Sequence, residues 1–344
     1  MPPSVPAPTG PAAPTGAETG VETDVVFGGT VFCDLVMSGT PLPGPGEEVF
    51  ADGFALVPGG TANRAVATAR LGMRTGISAV LGDDVLGEHV RTVLDREPGL
   101  DLRWLQRAPG RQTPVTVAVT NEHDRGFITY EEDGTGVPQQ WPGALPSARA
   151  AHVGIARPLP GWVGRLRAAG TTVFGGVGWD GTGTWSPQVL RHAEEVDVFV
   201  LNDLEALNYT RTGSVEEAAR VLTRHVRTVV ITQGRDGVTA LDAGAEGAAS
   251  LVRVPAVPVR AVDPTGAGDV FTAGLMTGTV LGWDLRTRVA FAGLAATSSV
   301  RSLGGSLSAP RPGELLEFLA ETAPEGDWST VRDWLQGTAT LQPT

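Results

Sequence analysis

Asp269 directly follows Gly266-Ala267-Gly268, an order of residue types suited to handling a negatively charged group. Pro264 biases Asp263 toward extended backbone, which excludes a helix immediately before it. Small residues then permit a tight turn, and Val270-Phe271-Thr272-Ala273-Gly274-Leu275-Met276 is an apolar run with a stop signal near Gly282. The spacing predicts that Gly266, Ala267 and Gly268 open a buried helix. Unpaired N–H groups and the macrodipole at such a start form an anion site. Asp269 falls in the first turn, where a carboxylate is also a common helix-start residue. Beside a phosphate cradle it is the group needed to take a proton from a hydroxyl that attacks phosphorus.

The elements that position this stretch are legible as strands and helices in alternation. Residues 25–27 form a buried first strand that runs into Gly28-Gly29, and Asp34 follows soon after. Pro58-Gly59-Gly60-Thr61-Ala62-Asn63 leads into an alanine-rich helix that ends at Leu71-Gly72. Residues 77–81 read as another buried strand, followed by Gly82-Asp83-Asp84-Val85-Leu86-Gly87, whose aspartates suit a helix start. Residues 115–120 and 126–131 alternate as a hairpin would, across 121–125, with an acidic end at Glu131, Glu132 and Asp133. From Ala150 onward βα alternation implies a mostly parallel sheet covered on both faces. Gly175 to Asp180 then lies at a strand's carboxyl end, with Asp180 read as a turn residue. Asn202 and Glu205 follow the strand 197–201 one helical turn apart, a spacing that also serves as a helix cap. Thr232 and Gly234 end a further strand, and 286–300 reads as a helix.

Composition narrows the function. A chain of 344 residues, 41% hydrophobic with 46 glycines and 26 prolines, suits an α/β enzyme with many tight loops. A net charge of −12 argues against nucleic acid or an anionic membrane as the main partner. All 26 basic residues are arginine, so positive contacts to phosphate must come from arginine, a metal ion or backbone amides. One cysteine, Cys33, excludes an intramolecular disulfide and a cysteine-rich metal site, which fits a reducing cytoplasm. Residues 1–23 read as a disordered tail without the marks of a signal peptide, and 336–344 as a second loose end. No apolar stretch reaches transmembrane length.

Taken together, these stretches resemble the ribokinase-like (phosphofructokinase-B-type, PfkB) carbohydrate kinases. Residues 263–269 match the family's second signature, D-x-T-G-A-G-D, at every fixed position. The Gly59-Gly60 to Asn63 stretch resembles the first signature, G-G-x-x-x-N, but only two residues separate Gly60 from Asn63, so Pro58 takes the first glycine position. The G-D-D-x-x-G, N-x-x-E and T-x-G patterns appear in family order, and the resemblance covers about residues 25–312. An aspartate that relatives often carry near Gly175 is absent.

The resemblance implies a three-layer α/β/α domain over residues 24–335 with a mostly parallel central sheet. It adds a small β-sheet lid from about 34–56 and 113–132, through which two copies would pair. It implies ATP-dependent phosphorylation of a hydroxymethyl group on a free pentose, ketohexose or sugar acid. Asp269 would be the general base and the amides of Gly266, Ala267 and Gly268 the anion hole. Asp34, Gly59, Gly60 and Asn63 would bind sugar hydroxyls, with Asn63 offering both donor and acceptor. Asp34 as a solvated turn residue, and Asn63 as a helix cap, are the alternatives. Asn202, Thr232, Gly234, Thr265 and Gly304 would border the nucleotide, while Asn202 and Glu205 handle Mg²⁺ through water. Asp263 and Ser308 would border a monovalent cation, K⁺. Alternatives of function are a nucleoside kinase of the same family, with Phe32, Phe54 or Trp179 as a platform for the base, and a sugar-binding regulator without turnover. A dinucleotide oxidoreductase fits poorly, because Gly28-Gly29-Thr30 does not supply G-x-G-x-x-G after the first strand.

Overall fold

The computed structural model describes residues 23–120, 125–132, 135–244, 249–302 and 305–340. Strand β1 (Thr23–Gly28) leads to β2 (Val31–Ser38) and β3 (Gly53–Gly60), and β3 runs straight into helix α1 (Thr61–Arg70). Next come β4 (Thr75–Gly82), α2 (Val85–Leu94), the short β5 (Leu100–Asp101) and β6 (Leu105–Ala108), then β7 (Val115–Thr120) and β8 (Arg125–Tyr130). The alternating half holds β9 (Ala148–Gly154), α3 (Gly161–Ala168), β10 (Thr172–Gly176), α4 (Gln188–His192), β11 (Val198–Asn202), α5 (Asp203–Thr210) and α6 (Val215–Leu222). Strands β12 (Thr228–Thr232), β13 (Val238–Asp242) and β14 (Ser250–Val254) follow. Four helices close the chain: α7 (Ala267–Val280), α8 (Leu285–Ser299), α9 (Pro312–Thr322) and α10 (Ser329–Ala339).

The main sheet has the order β14-β13-β12-β11-β10-β9-β1-β4-β5, with β6 also paired to β4. All of its neighbours from β12 to β5 are parallel; β13 and β14 are antiparallel additions at one edge. Period-two side chains divide the core into two layers. Val25, Phe27, Phe174 and Val200 pack with α1, α2, α7 and α8, whereas Val26, Val173, Phe199 and Leu201 pack with α3 to α6. A third cluster seats α9 and α10 on the outer side of α7 and α8 through Phe318, Leu335 and Phe291. Among the described residues, no helix is long and apolar enough to cross a membrane.

A second sheet, β3-β2-β7-β8, stands apart from the first. Strands β7 and β8 pair antiparallel from Val115↔Tyr130 to Thr120↔Arg125, and the turn residues 121–124 lie outside the described residues. The small sheet grows from the carboxyl end of β1 and returns to the main domain where the Thr61 N–H donates to the Thr30 carbonyl at 2.9 Å. It is anchored a second time by the G-D-D loop. Asp84 caps α2 by accepting from Gly87 N–H (2.8 Å), and it also accepts from the Thr113 N–H (2.8 Å) and hydroxyl (2.6 Å), just before β7. Two boundaries differ from the sequence expectation. Thr23 already pairs in β1, and α10 continues through Ala339, so the expected loose end at Gln336 is helical up to that point. Val331 and Leu335 bury one face of α10, which sequence composition near a terminus does not reveal.

Candidate active site

The start of α7 is built by backbone constraints. Val262 and Asp263 N–H groups donate to the Val300 carbonyl (2.7 and 3.1 Å), which ties the approach loop to the end of α8. Asp263 is buried, and its carboxylate accepts from the Thr265 N–H at 2.9 Å. Gly266 then turns the chain with φ 78°, a left-handed geometry that side chains resist, and α7 begins at Ala267. The Ala267 N–H donates to the Pro264 carbonyl (3.2 Å) and the Asp269 N–H to Gly266 (3.0 Å). Gly266 and Gly268 N–H groups have no acceptor among the described residues, so these two amides are the open donors of the cradle. The Thr265 hydroxyl beside them is buried without a partner among the described residues.

Asp269 projects from the first turn of α7 toward the start of α1. Its Oδ2 accepts from the Asn63 side-chain amide at 3.1 Å, and its Oδ1 meets Arg64 Nη2 at 2.9 Å. Gly60, not Asn63, occupies the cap position of α1, so the amide of Asn63 is free to reach α7 instead of its own helix. Asp34 lies mid-strand in β2 and is half-buried, which sets aside the solvated-turn alternative. Its carboxylate fills the space that a side chain on Gly59 would need, so only glycine fits there. Burial and the nearby charge of Asp269 push the Asp34 carboxyl up to about 7. Asp34, Gly59, Asn63 and Asp269 are thus one constellation, to which the fold adds Arg64.

The other candidates line the carboxyl edge of the main sheet. Asn202 ends β11 and caps α5: its Oδ1 accepts from Glu205 N–H (2.8 Å) while Glu205 Oε2 accepts from Asn202 N–H (2.9 Å). Burial pushes the Glu205 carboxyl up to about 7, against the Asn202 N–H and the charge of Arg64, which favour its ionised form. Thr232 ends β12 opposite Asn202 in register, with Gly234 exposed just beyond and Arg235 exposed beside it. Ser308 lies in a short turn, Gly305–Ser308, against α1, where Arg70 binds the Leu307 and Ala309 carbonyls (2.7 and 3.3 Å). Gly304 and Asp133 lie outside the described residues. The proposed aromatic platforms do not form one wall: Phe32 and Phe54 belong to the small sheet, while Trp179 leans edge-on against Trp185 at 5.5 Å. Asp180 closes its own turn by accepting from Thr182 and Trp185.

Sequence reasoning passed over Arg64 and His152. The first reads as one more polar residue of an alanine-rich helix, and only the approach of α1 to α7 reveals its partner. His152, on β9, is buried and held well below its ordinary pKa by that burial and by the charge of Arg64.

A parallel sheet with a lid-like second sheet at its carboxyl edge is the architecture of ribokinase-type enzymes. The chain is similar to Arabidopsis thaliana ribokinase complexed with ribose and ATP, with a TM-score of 0.71 over 86% of this chain and 98% of that one, at 22% identity. The sequence carries the relationship beyond fold. The profile of the pfkB family carbohydrate kinases matches residues 23–140 and 176–312, and this chain belongs to that family of kinases. Among characterised relatives, a nucleoside kinase of Methanothermobacter thermautotrophicus is 27% identical, covering 86% of this chain and 95% of its own length. An acarbose 7(IV)-phosphotransferase of an Actinoplanes species is 30% identical over 79% of this chain and 90% of its own.

Proposed function

We propose that the enzyme transfers the γ-phosphoryl group of ATP to a hydroxymethyl group of a small sugar, with Asp269 as general base. The observation that carries this reading is the placement of Asp269. It is fixed by Asn63 at 3.1 Å, shares its surroundings with the half-buried Asp34, and follows the open amides of Gly266 and Gly268. Asp34 and Asn63 would orient the sugar hydroxyls, with Gly59 leaving room for the Asp34 carboxylate. Asp269 would take the proton as the acceptor oxygen attacks phosphorus. The two amides would hold the oxygens of the transferred group, and the unpartnered Thr265 hydroxyl would add a further donor. Asn202, Thr232, Gly234 and Gly304 would border the nucleotide.

Among the described residues, no three His, Cys, Asp or Glu side chains are grouped to hold a metal ion. Asn202 and Glu205, one acceptor-bearing pair at the end of β11, would hold Mg²⁺ through water. Mg²⁺ there would offset the negative charge of the phosphates. K⁺ beside Asp263 and Ser308 belongs to the same reading, as does action in the cytoplasm, where ATP is available. So does a homodimer formed through the lid, where Phe54 and Ile128 are exposed.

A nucleoside is the second reading, and one observation favours it. A cleft of ≈ 820 Å³ opens between Thr30, Gln106, Glu131, Gln139, Trp141 and Arg157, beside the root of the lid. That is more room than a monosaccharide fills, and its polar and aromatic lining suits a base or a larger glycosyl group. The test is a panel of ribose, fructose, a sugar acid, adenosine and cytidine, followed by ADP release. Acceptor-dependent ADP release from a sugar supports the first reading and from a nucleoside the second. Ligand-induced stabilisation without ADP release from any of them would refute turnover and leave a sugar-binding regulator.

A further inference from the structure

Arg64 stands against Asp269 although nothing in the kinase signatures calls for a cation at its position. It is the fourth residue of α1, one past Asn63, and its side chain is only 23% exposed. One terminal nitrogen meets Asp269 Oδ1 at 2.9 Å, while its Nε is buried with no hydrogen-bond partner among the described residues. A guanidinium offers five N–H donors in one plane, and leaving a buried donor unmade is unfavourable. An anion brought next to Asp269 would relieve that state.

Two acids stand near this corner, the half-buried Asp34, which feels the charge of Asp269, and the buried Glu205, which feels that of Arg64. The charge of Arg64 favours the ionised form of Glu205 and disfavours a proton on His152. At Asp34 the charge that acts is that of Asp269. The ion pair with Asp269 fixes the guanidinium at this corner, and its charge acts on Glu205 and His152 as well. His152, kept neutral, contributes no rival cation there. The chain has no lysine, and the cradle of Gly266 and Gly268 amides carries no formal charge.

We propose that Arg64 is a further catalytic residue whose guanidinium binds the oxygens of the phosphoryl group in transit. This rests on the reading of Asp269 as the base. In the step, the acceptor oxygen forms its bond to the γ-phosphorus and the bond from phosphorus to the β–γ bridging oxygen breaks. That electron pair leaves with ADP, and the hydroxyl proton passes to an Asp269 carboxylate oxygen. Charge stays spread over the three equatorial oxygens, where a planar, permanently charged donor stabilises it better than neutral amides alone. In the resting enzyme, the ion pair with Asp269 holds the guanidinium in place.

The experiment compares Arg64→Ala and Arg64→Lys with the parent, using the full chain in two measurements. The first is steady-state turnover with the acceptor of the panel that the parent uses best. Arg64→Ala is expected to lower kcat about 10²–10³-fold with the acceptor KM within about threefold of parental. Added guanidinium ion should restore part of that rate, and Arg64→Lys should keep an intermediate kcat because it is a point charge without the planar fork. The second is calorimetric binding of MgADP with and without aluminium fluoride, a mimic of the phosphoryl group in transit. Arg64→Ala should bind MgADP like the parent but lose the gain that aluminium fluoride gives. A parental kcat with a parental aluminium fluoride complex overturns the proposal, and so does an effect confined to the acceptor KM. Asp269→Asn, measured alongside, separates the two levels. If it too turns over like the parent, the reading of the whole site fails; if it is inactive while Arg64→Ala is parental, only the role of Arg64 falls. Should Arg64→Ala fail to fold, Arg64→Lys decides through the same two measurements.

Discussion

Replacing Asp34 by asparagine should change how stability depends on pH, and the structure sets both the sign and the size. Burial and the charge of Asp269 raise the Asp34 carboxyl from 3.8 to about 7. The folded protein therefore holds this proton more tightly than the unfolded chain does. Stability from this group is fully present below the unfolded value and is lost as pH rises through about 7. A shift of about 3 units corresponds to about 4 kcal/mol, and water entering the cleft would reduce it to about 2–3 kcal/mol. Asparagine keeps the shape and cannot ionise. Asp34→Asn should accordingly gain about 2–3 kcal/mol relative to the parent between about pH 4 and about pH 8. Urea unfolding followed by the fluorescence of the eight tryptophans measures this across that interval. Glu205, raised to about 7 by burial, adds a slope of the same sign. His152, held low, adds one of opposite sign, stabilising above its ordinary pKa and losing that as pH falls. Both remain in the variant, so the parent-minus-variant difference isolates Asp34. Parallel stability curves for the two proteins would refute the reasoning.

Four further outcomes follow from the same geometry. Asp269→Asn should lower kcat about 10²–10⁴-fold while ATP still binds by calorimetry; a near-parental kcat would leave Asp269 as a helix-start residue. Glu205→Gln keeps an acceptor for the Asn202 N–H, so α5 should stay capped while the Mg²⁺ titration of activity moves to higher concentration. Superimposable Mg²⁺ curves would confine Glu205 to capping. Arg70→Ala breaks an ion pair with Glu97 whose side chains are 14% and 9% exposed, and should cost about 3 kcal/mol in chemical unfolding; a loss below about 1 kcal/mol would mean that the pair is not holding the 305–309 turn. Ile128→Glu, on an exposed lid position, should convert a dimer to monomer in light scattering, and a parent that is monomeric at high concentration would rule the lid out as an interface.

What the sequence determined by itself is what a few neighbouring residues encode. Pro264 and the small residues after it dictate a helix start at α7, and Gly266 takes the left-handed turn that such a start needs. The three-residue spacing of Asn202 and Glu205 becomes a reciprocal cap, because any side chains of those types at that distance face one another on a first helical turn. The strands that alternate with helices after Ala150, β9 to β12, become parallel for a similar reason: their helical connections leave few other arrangements. Only the tertiary structure decided which of these starts and ends meet. Asn63 and Asp269 are 206 positions apart and touch because α1 packs against α7. The same approach turns Arg64 from a surface-type helix residue into a partner of Asp269. It also makes Asp34 a carboxyl that ionises near neutrality, since burial and a second carboxylate arrive together from separate parts of the chain. Backbone bias and periodicity act over a few residues and are written locally. Ion pairing, burial and long-range approach depend on how the helices settle on both faces of the sheet, and no single stretch specifies that.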